Sequence, residues 1–294
     1  MALNLNALRA FAAVVERGGF TRAAAALRLS QPAVSKAVLG LERAVGMPLL
    51  ERGPRAVRAT EAGAALYERA RELFAVERSA EDELRMLRGL EGGALRVGAS
   101  TTVATYLLPP LLGTFQARHP GVALHVTSGN TRAVARALLG RRLDVALVEG
   151  PVDDARFAAE PWRDDELVLI APPDHPLAGT RRPVSLAALA QAPYVSRERG
   201  SGTRAVAEAA FAAHGIHPRV VLTLDSTEAV KQAVAAGLGL SAVSRAAAAD
   251  QLALERVREV RAAGLVIRRR LALLRLAGRR PSAPARAFEA LLGE

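Results

Sequence analysis

Residues 20–60 read FTRAAAALRLSQPAVSKAVLGLERAVGMPLLERGPRAVRAT. The alanine-rich stretch from Phe20 to Leu27 reads as an apolar helix, with Thr21 as its expected N-cap. A short turn follows. Ser30 then stands as an N-cap before Gln31 and Pro32, and Pro32 suits the first turn of a helix, where a missing N–H costs nothing. This next helix carries Ser35, Lys36 and Leu39 and is expected to run to about Val45. Gly46 stops it and Pro48 prevents its resumption. Two helices joined by a short turn, the second polar on one side, are how a helix-turn-helix lays a recognition helix in a DNA major groove. The stretch therefore points to a reader of double-stranded DNA.

Upstream, Leu5 to Arg17 reads as an amphipathic helix with Leu5, Leu8, Phe11, Ala12 and Val15 on one face, ended by Gly18-Gly19. Downstream, Leu49-Leu50-Glu51-Arg52 and Ala56 to Ala59 read as two short strands around the basic turn Gly53-Pro54-Arg55. That is a wing, and Arg52 and Arg55 are expected to lie against backbone phosphate. Thr60 then opens a long helix, with Glu61 at its positive end. Leu66, Leu73, Ala80 and Leu87 are spaced seven apart, with Ala70, Glu77 and Leu84 between them. Glu77 interrupts the heptad. A helix of this span is ~40 Å long at ~1.5 Å per residue. It is too polar outside to be a core helix, and a two-stranded dimerisation helix is expected; the alternative is a solvated linker helix.

The composition fits this reading. A chain of 294 residues holds two or three domains. No stretch approaches the ~20 uncharged apolar residues of a membrane span. Glu16 and Arg17 interrupt the apolar N-terminus, MALNLNALRAFAAVVERGGF, so it does not read as a signal peptide. Cysteine is absent, which excludes disulfides, thiolate nucleophiles and cysteine-based metal sites. A cytoplasmic location is expected. The net charge is +11, almost all of it from arginine, since Lys36 and Lys231 are the only lysines. Before Glu61 there are nine basic residues and three glutamates. A basic N-terminal domain suits a polyanion, because phosphate contacts release counterions. In a chain that otherwise uses arginine, the two lysines are candidates for places where a compact ammonium is wanted: Lys36, on the recognition helix, suits a base edge or a phosphate, while for Lys231, one turn past Ser226-Thr227, a solvent-facing side chain and chance retention are the alternatives.

Gly89 to Gly93 reads as a boundary, after which the pattern becomes α/β. Strands are expected at Leu95–Ala99, Val122–Thr127, Leu143–Val148, Leu167–Ala171, Arg219–Leu224, Leu240–Val243 and Arg268–Leu276. Helices are expected at Val103–His119, Thr131–Leu139, Thr203–His214, Thr227–Ala236 and Ala283–Leu292. Three strand-to-helix turns are rich in hydroxyls: Ser100-Thr101-Thr102, Ser201-Gly202-Thr203 and Ser226-Thr227. Singly, each is an ordinary helix cap. Together, at the turns from which an open α/β sheet presents ligand groups, they argue for an anion or carboxylate site. Glu149-Gly150-Pro151 and Pro172-Pro173 are read as crossovers between two lobes, with a ligand cleft between them. Catalysis finds no support: no G-x-S-x-G elbow, P-loop or G-x-G-x-x-G appears, and Ser201 has no visible base. His214 and His217 are three apart, but Gly215 and Pro218 break a helix there, so neither a metal site nor a cofactor is expected.

The pattern F-x-x-V-x-x-x-G-G-F-T-x-A-A-x-x-L-x-x-S-Q-P-A-V-S from Phe11 to Ser35, with L-L-E-R at Leu49 to Arg52 and T-E-A-G at Thr60 to Gly63, resembles the LysR-type transcriptional regulators. More narrowly, ASTTVATYLLP (Ala99 to Pro109), LVEGPVD (Leu147 to Asp153), GSGTR (Gly200 to Arg204) and STEAVKQAVAAGLGLS (Ser226 to Ser241) resemble the CysL-like branch, which includes activators of sulfur assimilation and has relatives that control carbon fixation. The resemblance implies an α/β fold: a winged helix-turn-helix at 1–60, a dimerisation linker helix at 61–89, and a two-lobed effector domain of the type II periplasmic-binding-protein kind at 90–294. Lobe I would take about 94–165 and 267–294, and lobe II about 166–266. The resemblance implies a homodimer assembling to a homotetramer on promoter DNA, with RNA polymerase as a further candidate partner. Thr21, Gln31, Pro32, Ser35, Lys36, Arg52 and Arg55 would contact DNA. Ser100, Thr101, Thr102, Glu149, Ser201, Thr203, Ser226 and Thr227 would hold a small anionic effector, a sulfur or carbon metabolite. The competing reading, a solute-binding or enzymatic α/β protein, would need a secretion signal or a base beside Ser201.

Overall fold

The computed structural model describes residues 3–53, 57–87, 92–180 and 182–294, with backbone alone at 52, 79, 82, 83 and 85–87. Its contacts divide the chain into two units, Met1–Glu81 and Asp82–Glu294.

The first unit comprises α1 (Leu5–Arg17), α2 (Phe20–Leu27), α3 (Gln31–Val45), β1 (Leu50–Arg52), β2 (Val57–Ala59) and most of α4 (Glu61–Leu87). Asn4 caps α1, and Gly18, at φ 64°, ends it. The buried face of α1 is Leu8, Ala10, Phe11 and Val14. Leu5 is exposed and Ala12 and Val15 are half-buried, so the face is turned from the one read in the sequence. The α2 helix starts one residue earlier than Thr21 requires. Gly19 occupies the cap position and its carbonyl accepts from Ala23 N, which leaves Thr21 within the first turn. Ser30 caps α3 by accepting from Ala33 N at 3.3 Å, and Gly46, left-handed at φ 74°, ends it. Glu42 on α3 accepts from Leu49 N (2.8 Å) and Leu50 N (3.2 Å), which fixes the root of the β1–β2 hairpin. The hairpin tip with Arg55, at 54–56, lies outside the described residues.

Thr60 caps α4, accepting from Gly63 N and donating to Pro48 O. Gly63 is there for space: a Cβ would stand 1.9 Å from the Leu49 carbonyl oxygen. Ala70 and Phe74 on α4 enter the core with Phe11, Val34, Val38 and Leu41. Glu77 is no defect in the heptad. It faces α1, where Arg9 donates to both its oxygens at 2.7 Å and stacks over the Phe74 ring at 4.3 Å. Leu73, Val76 and Leu84 are left exposed along the same helix. Residues 88–91, including most of the expected Gly89–Gly93 boundary, lie outside the described residues.

The second unit begins with β3 (Gly93–Ser100), a π-helical turn at Val103–Leu107, α5 (Leu108–Arg118), β4 (Val122–Gly129), α6 (Thr131–Leu139), β5 (Val145–Glu149) and β6 (Phe157–Ala171). It continues with α7 (Leu186–Gln191), β7 (Pro193–Arg197), α8 (Gly202–Ala213), β8 (Arg219–Leu224), α9 (Thr227–Ala235), β9 (Ser241–Ser244) and α10 (Arg245–Ala253). It closes with β10 (Arg258–Val260), β11 (Ile267–Leu276) and α11 (Ala283–Leu292). One sheet runs β10-β6-β11-β5-β3-β4, with β9 also on β6, and β7 pairs with β8 in parallel.

Two lobes share this sheet through a pair of long antiparallel strands. The first half of β6 pairs with β11, and its second half pairs with β9 and β10. These strands are the crossovers. The segments expected in that role, Glu149-Gly150-Pro151 and Pro172-Pro173, sit at strand ends instead. A bulge at Leu271/Ala272 skips Trp162, whose ring packs into the first lobe, and Pro161 is tolerated at the irregularity because it has no N–H to give the ladder. Alternation assigns the faces. Leu95, Val97, Ala99, Val145 and Leu147 bury against Phe115 and Phe288, while Ala146 and Val148 bury against Val134 and Leu138. In the second lobe, Leu167, Leu169 and Ala171 face Tyr194 and Phe211, whereas Val168 and Ile170 face Val230 and Val243.

Candidate functional site

The hydroxyls read from the sequence converge where the lobes meet. Ser100 ends β3, Thr102 opens the π-helical turn, and Glu149 ends β5, all from the first lobe. Thr203 sits at the start of α8 and Thr227 at the start of α9, both from the second. All five are at least 97% buried. Arg269, in the middle of β11, and Arg197, at the end of β7, join them and are also buried.

The bonds in this cluster have a definite direction. Arg197 Nη1 donates to Thr227 Oγ1 at 2.6 Å. Thr102 Oγ1 donates to Glu149 Oε1 at 3.2 Å, so its contact with Thr227 Oγ1 at 3.3 Å must be one in which Thr227 donates. From the other side, Arg269 Nη1 donates to Thr203 Oγ1 and Thr203 donates to Glu149 Oε1, each at 2.9 Å. The proton of each of these three threonines thus runs toward the Glu149 carboxylate. Glu149 Oε2 forms an ion pair with Arg269 Nη2 at 3.2 Å, poorly aligned as a hydrogen bond. Asp165, opposite Arg269 in the β6–β11 register, takes the same guanidinium at 2.7 Å. One arginine is therefore shared by two carboxylates. Ser100 Oγ is buried with no hydrogen-bond partner among the described residues.

The capping explanation holds for part of the set. Ser201 accepts from Arg204 N and Ser226 from Ala229 N, so each caps its helix. Thr101 donates to Gly129 O and turns away from Glu149. Thr102, in contrast, is already helical in backbone and caps nothing. Glycines let the lobes touch here. A Cβ on Gly202 would stand 1.8 Å from Glu149 O, and Gly150, at φ 79°, abuts the Gly202 backbone. Thr131, missed in the sequence, donates to that same Glu149 carbonyl at 2.8 Å.

Two clefts flank the cluster. One of about 790 Å³ is lined by Thr131, Ser201, Gly202 and several arginines, among them Arg132, Arg136 and Arg199. The other, of about 340 Å³, reaches Arg197 and Thr203. Beside them a contact spans the lobes. Tyr106 donates to Glu228 Oε2 at 2.8 Å, and Lys231 pairs with the same oxygen at 2.8 Å while donating to Ala247 O. Lys231 is thus buried, not solvated. Burial opposes its charge, but the bonds to Glu228 and Tyr106 outweigh that and raise its pKa. The Lys231 ammonium holds the Glu228 carboxyl down to about 2. Among the described residues no group of three histidines or carboxylates could hold a metal, and His217 lies beyond the end of α8.

On the first unit, Thr21, Gln31, Pro32 and Lys36 are exposed and Ser35 is half-buried. Arg52 is described in backbone only. Among the described residues no helix is long and apolar enough to cross a membrane.

Known proteins match both units. The family of bacterial regulatory helix-turn-helix proteins, lysR type, matches residues 5–64, and the LysR substrate binding domain matches residues 88–294. The RuBisCO operon transcriptional regulator of Allochromatium vinosum is 40% identical over 288 residues, covering 98% of this chain and 95% of that one. The HTH-type transcriptional regulator CysL of Bacillus subtilis (strain 168) is 37% identical over 238 residues, covering 81% and 79%. The regulatory domain of CcmR from Synechocystis PCC6803, solved in complex with 2-PG, superposes with a TM-score of 0.63 at 32% identity, covering 68% of this chain and 96% of that one. The chain belongs to the LysR family of DNA-binding transcriptional regulators, a family of regulators and not of enzymes.

Proposed function

We propose that this regulator senses a small anion at the lobe junction, and that Ser100, Thr102, Thr203 and Thr227 are its ligands. The carrying observation is the convergence of the buried hydroxyls of Thr102, Thr203 and Thr227, from three separate chain segments, on Glu149 between the lobes, with the buried Ser100 two residues before Thr102. Thr101, Glu149, Ser201 and Ser226 shape the surrounding wall. Entry requires the lobes to part about β6 and β11, and closure re-forms the network around the ligand. The CcmR domain, which was solved with 2-PG, supports a ligand of this class. Relatives stand on both sides of the pathway question, a RuBisCO operon regulator at 40% and CysL at 37%, so the effector is assigned to sulfur or carbon metabolism, with the CysL-like branch as one of the two.

At the output end, Gln31, Pro32, Ser35 and Lys36 on α3, with Thr21 and the wing arginines Arg52 and Arg55, are assigned to DNA. The exposed Leu73, Val76 and Leu84 on α4 favour pairing of two such helices. We assign 1–60, 61–89 and 90–294 as reader, dimerisation helix and sensor of a cytoplasmic homodimer that assembles to a homotetramer, with RNA polymerase as the contact that converts binding into promoter activity. The test uses the full chain. Sulfate, sulfite, phosphate and 2-PG are screened by thermal shift, since a bound ligand stabilises in proportion to its affinity. Gel shifts on the gene's own upstream DNA are run with and without the best anion. Stabilisation by at least one anion, lost in Thr102→Val, is expected; no stabilisation by any of them sinks the sensor reading.

A further inference from the structure

Resting on that reading, we infer that Glu149 makes the site selective for an oxyanion that carries its own O–H, such as hydrogen sulfite, a hydrogen phosphate or a phosphate monoester, and makes it reject sulfate. The inference comes from the balance of donors and acceptors. Thr102, Thr203 and Thr227 each have one proton, and all three are directed along chains that end on Glu149 Oε1. Among the described residues Glu149 Oε2 accepts no hydrogen bond and has Arg269 as a poorly aligned ion partner. A bare carboxylate oxygen facing an anion repels it. The same oxygen facing an O–H on that anion gains a charge-assisted hydrogen bond. Ser100 Oγ, buried and unpartnered, supplies a donor for one of the ligand's remaining oxygens.

Charge leads to the same place. Arg269 lies between Glu149 and Asp165, and Arg197 is paired with Glu198 at 2.8 Å. The carboxylates around the cluster already match or outnumber its guanidiniums. Among the described residues each guanidinium inside the buried cluster is already paired with a carboxylate, and the further arginines, Arg132, Arg136 and Arg199, line the larger cleft beside it, so an oxyanion seated against Glu149 gains by bringing a donor. Sulfate has none near neutral pH, whereas sulfite, phosphate and phosphate esters are partly protonated there.

The test measures affinity of the full chain for sodium sulfate, sulfite (in degassed buffer), phosphate and 2-PG by titration calorimetry at neutral pH. The tightest proton-bearing anion should bind at least about 100-fold more tightly than sulfate, as expected when a buried acceptor would otherwise be left facing an acceptor. In Glu149→Gln, whose amide can donate, sulfate should gain and the gap should narrow to less than about 10-fold. Sulfate binding within about 3-fold of the best anion overturns the inference and leaves the sensor reading intact. No binding by any of the four overturns the sensor reading itself. The comparison within the unsubstituted protein decides the matter even where Glu149→Gln fails to fold.

Discussion

Gly202→Ala tests the contact that brings the two lobes together. Gly202 opens α8 in the second lobe, and its added Cβ would sit 1.8 Å from Glu149 O, 2.5 Å from Glu149 C and 2.7 Å from Thr131 Oγ1. Atoms in good contact stand ~3.5 Å apart, so the overlap exceeds about 1 Å and falls on backbone at the end of β5. No flexible side chain can swing aside. The lobes must separate, which costs ~1–3 kcal/mol as overpacking. Separation also strains the Thr131 bond to Glu149 O (2.8 Å) and the Thr203 bond to Glu149 Oε1 (2.9 Å). Those contribute ~0.5–1.5 kcal/mol each. The expected total is roughly 2–6 kcal/mol, or a melting temperature lower by about 6–18 °C at ~3 °C per kcal/mol for a unit of this size. Gly113→Ala is the matched control. Gly113 lies on the exposed face of α5 with nothing within 4 Å of its Cβ position, and there alanine should stabilise by ~0.5–1 kcal/mol. Calorimetric melts of the parent and both variants decide. Gly202→Ala melting within about 2 °C of the parent would show that the lobes are not held by this backbone contact.

Three further outcomes are expected. Lys36→Ala should weaken binding to upstream DNA by ~1–3 kcal/mol if Lys36 meets a base edge, or lower the salt slope by about 1 if it meets phosphate; unchanged affinity and slope in a salt titration would remove Lys36 from the interface. Arg9→Ala should destabilise more than Glu77→Ala, because the arginine loses its stacking on Phe74 as well as a partly exposed ion pair worth under ~1 kcal/mol; equal denaturant midpoints for the two variants contradict this. Glu228, held at about 2 by Lys231, contributes stability that is complete above its unfolded value of ~4.3 and is lost as pH falls toward 2. Its side chain is half exposed, so the contribution is modest, and the stability difference between the parent and Glu228→Gln should close between about pH 5 and pH 2. A difference that persists at pH 2 excludes this ion pair as its source.

The reader unit was legible because its signals are local. Ser30, Pro32 and Gly46 punctuate α3 through their own backbone chemistry, and each does in the structure what its residue type requires. The long β6 strand was legible only from Leu167 onward. Its first half, FAAEPWRDDE, carries a proline and four acids and reads as a loop, yet it is a strand because β11 supplies the cross-strand arginines: Arg269 faces Asp165 and Arg270 faces Asp164. Tertiary pairing outweighed local propensity. Arg269 itself had a readable signal. In IRRRL the residues at 267, 269 and 271 share one strand face, and a charge flanked by Ile267 and Leu271 on that face must find a buried partner. Arg197 had none, since its role depends on Thr227, thirty positions away. Gly150 and Gly202, within the LVEGP and GSGTR motifs, acquire their reason only when the two backbones meet.

On the proposed reading, the direction of the hydrogen bonds makes lobe closure and ligand recognition one event. Thr102 belongs to the first lobe and Thr227 to the second, and their contact exists only with the lobes together. The same is true of Thr203 with Glu149. A hydroxyl has a single proton, so an anion that takes the proton of Thr102 or Thr203 takes it from Glu149 and must return an equivalent bond. A ligand that satisfies this exchange keeps the lobes joined. One that cannot leaves a buried carboxylate short of donors and favours opening. Two or three such bonds, at ~0.5–1.5 kcal/mol each, amount to ~1–4 kcal/mol of difference between open and closed forms. That is the size of coupling typical of an allosteric effector, ~1–3 kcal/mol. On the proposed reading, discrimination between anions and the shift in lobe equilibrium therefore draw on the same bonds, and a variant that relaxes the first should weaken the second by a similar factor.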